Sequence, residues 1–519
     1  MAAFPTLRSL RTLRIIVSSL TVVAVAAVFI DIHHLIPFSL SSNLIAIQFA
    51  PAVLKYFFAA GSAVVAVLFV VLLTLSYGRV YCSHLCPLGT LQDIFIWIGK
   101  KKYTHRKFPY KKANYRFFYA FTALIILGIV SGSLVLFNLF EPYSNFGRLM
   151  TSLVRPLMIL FNNTAVIILS ATNSFGLARI PLTGPDHWNI LFALVFLSGI
   201  AGLSLWRGRL FCNLLCPVGG VLSVLSRFSL FKIEIRNDTC IDCGLCERVC
   251  RAQCINSREH TVDMAACVGC FDCIGSCPEE GMGYAFQRRN FSVKKEDPSR
   301  RRVLLSISTA LAATTGFTNT EDTSSAVIAY RAAKKQPIVP PGGRSREHFS
   351  QYCTACHLCV TVCPTQVLQP SVIEYGLSGI FQPKMDYTIN YCNYDCVECG
   401  EVCPTGAILL MVPQEKKLVQ LGKVTFVKED CIVETKKKDC GACDEHCPTK
   451  AVKMVPYGKL RLPEIQNEYC VGCGACEHAC PTTPRKAIYV TPNAVHATAK
   501  VRESKRKEPH EATPEEFPF

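Results

Sequence analysis

The stretch Cys267-Val268-Gly269-Cys270-Phe271-Asp272-Cys273-Ile274-Gly275-Ser276-Cys277-Pro278 decides how this chain is read. Its frame, Cys-x2-Cys-x2-Cys-x3-Cys followed by proline, returns as Cys353, Cys356, Cys359, Cys363 before Pro364 and as Cys470, Cys473, Cys476, Cys480 before Pro481. Two variants stretch the first gap. Cys392, Cys396, Cys399, Cys403 opens with three intervening residues, and Cys431, Cys440, Cys443, Cys447 with eight. In a sixth set, Cys240, Cys243, Cys246, Cys250, Arg251 stands in place of the proline. Of 29 cysteines only five lie outside these sets: Cys82, Cys86, Cys212 and Cys216, which form two further pairs, and Cys254.

Disulfide frameworks belong to short secreted domains with irregular gaps. Zinc needs two pairs of ligands and has no use for a third cysteine and a Cys-Pro. Iron–sulfur ligation uses every element of the frame: three thiolates two residues apart hold one [4Fe–4S] cube, and the fourth, before proline, reaches the neighbouring cube. About six such clusters are therefore expected. The frame resembles the bacterial two-cluster ferredoxins, which implies compact βαβ-like halves. Within residues 240–277 the resemblance pairs Cys240, Cys243 and Cys246 with Cys277, and Cys267, Cys270 and Cys273 with Cys250, with Cys254 as the alternative to Cys250.

The 519 residues carry 55 Lys and Arg against 38 Asp and Glu, a formal charge of +17, yet half of them are hydrophobic. That average excludes a soluble nucleic-acid binder. Apolar stretches at Ile15–Ile30, Phe57–Ser76, Phe117–Leu136 and Ile190–Trp206 are close to the length that a membrane-spanning helix needs. The loop after the second stretch holds Arg79, Lys100, Lys101, Lys102, Arg106, Lys107, Lys111, Lys112 and Arg116, whereas the loop before it holds a single Lys55. Basic loops stay inside, so this loop and the N-terminus, with Arg8, Arg11 and Arg14, are expected on the cytoplasmic face. Leu157–Ser170, interrupted by Asn162 and Asn163, reads as a helix lying in the outer interface.

A duplication accompanies these spans. Gly78-Arg79-Val80-Tyr81-Cys82-Ser83-His84-Leu85-Cys86-Pro87-Leu88-Gly89 follows the second and Gly208-Arg209-Leu210-Phe211-Cys212-Asn213-Leu214-Leu215-Cys216-Pro217-Val218-Gly219 the fourth. Cysteines at i and i+4 share one side of a helix, so four thiols can converge at the cytoplasmic face. They would hold a metal or cluster, act as a redox dithiol, or simply be buried.

Past the first ferredoxin-like unit, Ser299-Arg300-Arg301-Arg302 precedes the apolar run Val303–Phe317, the layout of a twin-arginine export signal and a late membrane crossing. A buried helix joining two cytoplasmic units is the alternative. Residues 319–350 read as a linker with a stiff Pro340-Pro341-Gly342-Gly343 segment, and 496–519 as a disordered tail.

Two Gly-Arg-x-x-Cys-x3-Cys-Pro-x-Gly motifs, Glu141-Pro142-Tyr143 before Phe146-Gly147-Arg148, and a following ferredoxin unit resemble the NapH family of membrane quinol dehydrogenase subunits. From Ser299 onward the chain resembles the NapG family, including the gap of eight in the third set. The resemblance implies four transmembrane helices plus a fifth signal-anchor helix, followed by α+β bacterial-ferredoxin-like domains. The expected divisions are a membrane domain at 1–228, a cytoplasmic two-cluster domain at 229–290, a signal anchor at 299–318 and an extracytoplasmic four-cluster domain at 351–495. In the last of these the resemblance implies nested pairing, first set with fourth and second with third.

It further implies oxidation of menaquinol or ubiquinol, drawn as a diffusible substrate from the membrane quinone pool. Electrons would pass through the clusters to an extracytoplasmic cytochrome, flavoprotein or molybdoenzyme, with no role for nucleic acid. Asp31, His33, His34 and His84 are candidate proton acceptors for the quinol, on their position at span ends. The alternatives are a redox-sensing or metal-handling assembly factor, and a conduit from a soluble cytoplasmic donor to quinone.

Overall fold

The computed structural model describes residues 7–56, 60–102, 108–173, 176–182, 187–286 and 336–501. The expected signal anchor at 299–318 lies outside them. The first part is a bundle whose helices are α1 (Leu7–Ile30), α2 (Phe38–Ala46), α3 (Phe49–Tyr56), α4 (Ala60–Tyr77), the single turn α5 (Tyr81–His84) and α6 (Pro87–Lys102). There follow α7 (Tyr115–Val130), α8 (Val135–Phe140), α9 (Pro142–Leu149), α10 (Arg155–Ala171), α11 (His187–Arg207), α12 (Leu210–Leu214) and α13 (Pro217–Ser226). Local chemistry starts them where they start. Asn114 accepts from the Phe117 amide ahead of α7, and Glu141 accepts from the amides of Tyr143 and Ser144, with Pro142 as the first residue of α9.

Among the described residues three helices are long and apolar enough to cross a membrane: Ser9–Ile30, Pro142–Ala171 and His187–Arg207. The four expected spans correspond to α1, α4, α7 and α11, of which α4 and α7 are shorter. The segment expected to lie in the interface is the end of a continuous helix of 30 residues, α9 joined to α10 through a π turn at Met150–Val154. A side chain at Asn162 does not break a helix whose backbone bonds are satisfied internally.

The cysteine-rich units rest on two-stranded antiparallel ribbons, and the first unit has the expected βαβ-like halves, with a short helix at Leu245–Val249 between its first two strands and another at Asp272–Gly275 between its last two. In the first unit β1 (Phe231–Ile235) pairs with β4 (Met282–Phe286), and the small hairpin β2 (Ile255–Asn256) with β3 (Thr261–Val262) lies between the two cysteine sets. The C-terminal domain repeats the plan. Hairpin β5 (Leu368–Pro370) with β6 (Pro383–Met385) separates its first and second sets. Hairpin β8 (Val452–Tyr457) with β9 (Leu460–Ile465) separates the third and fourth, and β7 (Val419–Phe426) closes on β10 (Ile488–Thr498) around them.

Two expected boundaries move. From residue 336 the stretch read as linker is part of the domain: Val339 and Phe349 are buried, and the Gly342 carbonyl accepts from the Leu409 amide at 3.0 Å. Gly342 sits at φ +89°, where a side chain would be strained and would press on the Leu409 backbone. The tail likewise starts later than 496, because β10 continues to Thr498 opposite Val419 and the His496 amide donates to the Arg344 carbonyl.

The two cysteine-rich parts meet opposite ends of α1, whose 24 residues span about 36 Å. Near its start, Arg11 pairs with Asp272 of the first unit at 3.2 Å. Near its end, Phe29 packs with Tyr143, Phe146, Cys356 and Leu358, and so against the C-terminal domain.

Candidate iron–sulfur sites

Within each unit one set is completed by the last cysteine of its neighbour. Cys240, Cys243, Cys246 and Cys277 line one cavity, and Cys273 has Cys270, Cys250 and Cys267 among its thiol neighbours. Cys254 is buried beside Cys250, sulfur to sulfur 3.5 Å, so a fifth thiol stands at that site. In the C-terminal domain Cys403 faces Cys353, Cys356 and Cys359, while Cys363 faces Cys392, Cys396 and Cys399. Cys431, Cys440, Cys443 and Cys480 line a cavity, and Cys447 joins Cys470, Cys473 and Cys476. Pairing is therefore consecutive, first set with second and third with fourth, which corrects the nested expectation. The reason is the ribbon plan: each hairpin folds one set back on the next before the chain moves on.

The residues fit iron–sulfur ligation. Among the described residues no three cysteine sulfurs lie within 4.8 Å of one another. A tetrahedral zinc–thiolate site, with bonds of about 2.3 Å, would hold its sulfurs roughly 3.8 Å apart. Backbone amides point at the sulfurs, from Gly472 to Cys470 at 3.3 Å and from Ile408 to Cys403 at 3.4 Å. Burial pushes the thiols of Cys356, Cys443 and Cys473 up to about 12. A lone thiolate is unfavourable in such a cradle, and a cationic metal reverses that preference.

Cys82, Cys86, Cys212 and Cys216 converge in the core of the bundle, all buried and mutual neighbours. Each Cys-Pro puts its thiol at the head of a helix, with proline as first residue; the Cys216 sulfur accepts from the Gly219 amide at 3.3 Å. Gln92 Nε2 donates to the Cys212 sulfur at 3.4 Å. The arginines of the two copies cross over. Arg79 donates to the Cys212 carbonyl at 3.0 Å and to that of Ala265 in the first unit at 3.0 Å. Asp93 gathers Arg14, Arg209 and Arg251, each within 3.0 Å, and so ties α1, α6 and the first unit to this centre. The motif pair carried the arginines in plain view; Asp93 has no counterpart in the second copy, and nothing in the repeat pointed to it.

These thiols lie between the two cysteine-rich parts. Cys270 and Val268 of the first unit belong to the same packed core, and so do Phe137 and Leu149 from the side facing the C-terminal domain. Helix α9, buried along its whole length, separates them from Cys353 and Cys356. Its outer contacts include the Arg148 guanidinium over the Phe381 ring at 4.9 Å, and Asn138 of the neighbouring α8 donates from Nδ2 to the Cys353 carbonyl at 3.4 Å.

The four proton-acceptor candidates do not form one group. His33 and Asp31 line a cavity between α1 and α10, with His33 Nε2 3.0 Å from Oδ1 of buried Asn162. Asp31 accepts from the amides of His33, Leu35 and Ile36. His34 turns toward Glu398 of the C-terminal domain. His84 is at the other end, its Nδ1 bonded by Ser83 and its ring set edge-on to Phe271 of the first unit. Asn162, seen in the sequence only as an interruption of an apolar run, is the residue that joins the cavity.

Residues 59–105 and 189–236, each holding one Cys-Pro pair, match a family described as a 4Fe-4S binding domain. Two families described as 4Fe-4S dicluster domains match 352–408, which spans the first and second sets, and 436–483, which spans the third and fourth without Cys431. An uncharacterized protein of Methanocaldococcus jannaschii is 27% identical over 44% of this chain and 82% of its own length. The ferredoxin-type protein NapH of Haemophilus influenzae is 24% identical over 42% of this chain and 65% of its own. The methylamine utilization ferredoxin-type protein MauN of Paracoccus denitrificans is 26% identical over 33% of this chain and 48% of its own. No solved structure matches. With its 4Fe–4S domains, its apolar helices and these relatives, the chain is a membrane iron–sulfur electron-transfer protein that fits a NapH-like description.

Proposed function

We propose that this protein oxidises a membrane quinol and passes electrons along its cysteine sets to a redox protein outside the cytoplasm, as a quinol dehydrogenase-type subunit with a NapH-like first part and a NapG-like second. Iron–sulfur clusters, when bound, supply one-electron sites at each set. The chain's own contribution is spacing and insulation. Cys356 and Cys403 of the first C-terminal site lie beside Tyr143 of α9, the Cys392 amide binds the Cys473 carbonyl at 2.9 Å, and the set at Cys431 and Cys480 is the far end of the succession. The single observation that carries the reading is this succession, from the exposed Cys243 of the first unit through the buried Cys-Pro thiols to the C-terminal domain.

Attachment of the two parts to opposite ends of α1 supports a multi-pass protein of the cytoplasmic membrane, with the first unit inside and the C-terminal domain outside. Burial of all four Cys-Pro thiols argues against a metal-handling factor, which must expose its ligands to a client. The test is anaerobic mixing of the reconstituted protein in lipid discs with a reduced menaquinol or ubiquinol analogue. Loss of visible iron–sulfur absorbance is expected. Absorbance that dithionite bleaches and quinol leaves untouched would overturn the proposal.

A second reading has one observation in its favour: Cys243 is the exposed ligand of its set, flanked by exposed Ile241 and Leu245. Such an edge suits a soluble donor, with quinone then the acceptor. Cluster potentials measured against the quinone pool give the direction.

A further inference from the structure

We infer that the cavity between α1 and α10 is the quinol site, with Asn162 and His33 as its headgroup-binding residues and the first C-terminal cysteine set as the electron acceptor; this rests on the quinol reading above. The cavity measures about 590 Å³, within the range of small-molecule sites. Its walls are apolar, with Ala26 and Ile30 of α1 and Phe161 of α10, and among the described residues its polar groups are Asp31, His33 and Asn162. Val23, Phe161 and Leu35, which rim it, are exposed side chains of membrane helices and their flanking loop. An isoprenoid tail suits such a rim, and a hydroxylated ring suits the polar groups.

Location distinguishes this cavity from the other histidine sites. Ala26 and Ile36 of its wall also belong to the packed group that contains Phe29 and Cys356. His33, in the loop that follows α1, meets Asn162 of α10, so a headgroup bound there bridges that loop and α10. Oxidation of the quinol to the quinone releases two electrons and the two hydroxyl protons. The His33 imidazole and the Asp31 carboxylate take the protons. The electrons leave singly toward the oxidised iron–sulfur site at Cys353, Cys356, Cys359 and Cys403.

The experiment uses the full holoprotein in lipid discs with a photoactivatable azido-quinone, peptide mapping by mass spectrometry, and quinol-driven bleaching. Labelling is expected in peptides covering 23–36 and 158–165. Asn162→Leu and His33→Phe should raise the quinol KM about tenfold, the factor worth about 1.4 kcal/mol, while dithionite bleaches them as it does the wild type. Labelling near His84, or unchanged KM in both variants, overturns the assignment even when quinol bleaches the protein. Labelling in the cavity with no bleaching by quinol leaves the site standing and removes the proposed function; absence of both removes both.

Discussion

Arg209 Nη1 donates to the carbonyl oxygen of Cys82 at 2.8 Å, across the boundary between the two copies of the Cys-Pro motif. With the reverse bond from Arg79 to Cys212, each copy is completed by the other, so neither thiol pair is held in place alone. Gly89 and Gly219 make room for this, since a side chain at either would strike the carbonyl of its own copy's first cysteine and the crossing guanidinium.

Arg209→Met should therefore loosen the packing of the four Cys-Pro thiols and spare the other cysteine sets. The substitution removes two bonds to Asp93 and the one to Cys82, and breaking a buried ion pair of this kind costs about 3–5 kcal/mol. Alkylation of the folded protein should then reach Cys82, Cys86, Cys212 and Cys216, which are buried in the wild type. Protection of the four thiols equal to wild type would mean that the crossed arginines do not hold them.

Cys254 gives a second prediction. Its sulfur and its amide both lie 3.5 Å from the Cys250 sulfur, and the hydrogen bond from Cys254 holds the Cys250 thiol below its usual range. Cys250→Ala should keep its cluster, with Cys254 moving in as fourth ligand and an altered electron paramagnetic resonance signal. The double variant with Cys254→Ala should lose it. Loss of the cluster in Cys250→Ala alone would show that Cys254 does not serve.

Docking of the C-terminal domain depends on a glycine. A Cβ at Gly147 would come within 2.5 Å of the Cys356 carbonyl and 2.7 Å of the Phe29 ring. Gly147→Val should cost about 1–3 kcal/mol of this interface, raise hydrogen exchange along α9 and slow quinol-driven bleaching, with the iron content unchanged. Exchange and bleaching like those of the wild type would show that the domain does not need this contact.

Acid should loosen the join between the two ends of the C-terminal domain. Burial pushes His496 down to about 4, against a donated bond to the Val339 carbonyl. The unfolded chain takes up this proton near pH 6.5 and the folded one does not, so the stability from neutral His496 is complete above about pH 6.5 and falls by about 1.4 kcal/mol per unit toward pH 4. In denaturation curves of the holoprotein, His496→Gln should flatten the C-terminal domain's pH slope across that window. Identical slopes would remove the residue from the account.

Ligand sets were legible in the sequence because three of the four ligands lie close together in the chain, the set at Cys431 with its longer gap excepted, and that spacing lets the thiols face one centre. The partner of each set was not. Cys403 completes the set at Cys353 because β5 and β6 fold the two together, and no local spacing distinguishes that from the nested alternative. Pro340-Pro341-Gly342-Gly343 has the composition of a linker, yet it packs against Leu409, since stiffness without helical propensity suits a tight buried turn equally well.

Sequence by itself determined the cofactor chemistry, the membrane character and the doubled Cys-Pro motif, all of which follow from local spacing and from runs of apolar residues. Tertiary structure decided which thiols complete which site, that the Cys-Pro sulfurs stand between the two cysteine-rich parts, and that His33 meets Asn162 while His84 lies at the far end. Those relationships join residues from tens to more than a hundred positions apart, and only the folding of hairpins and the packing of helices bring such distant groups together.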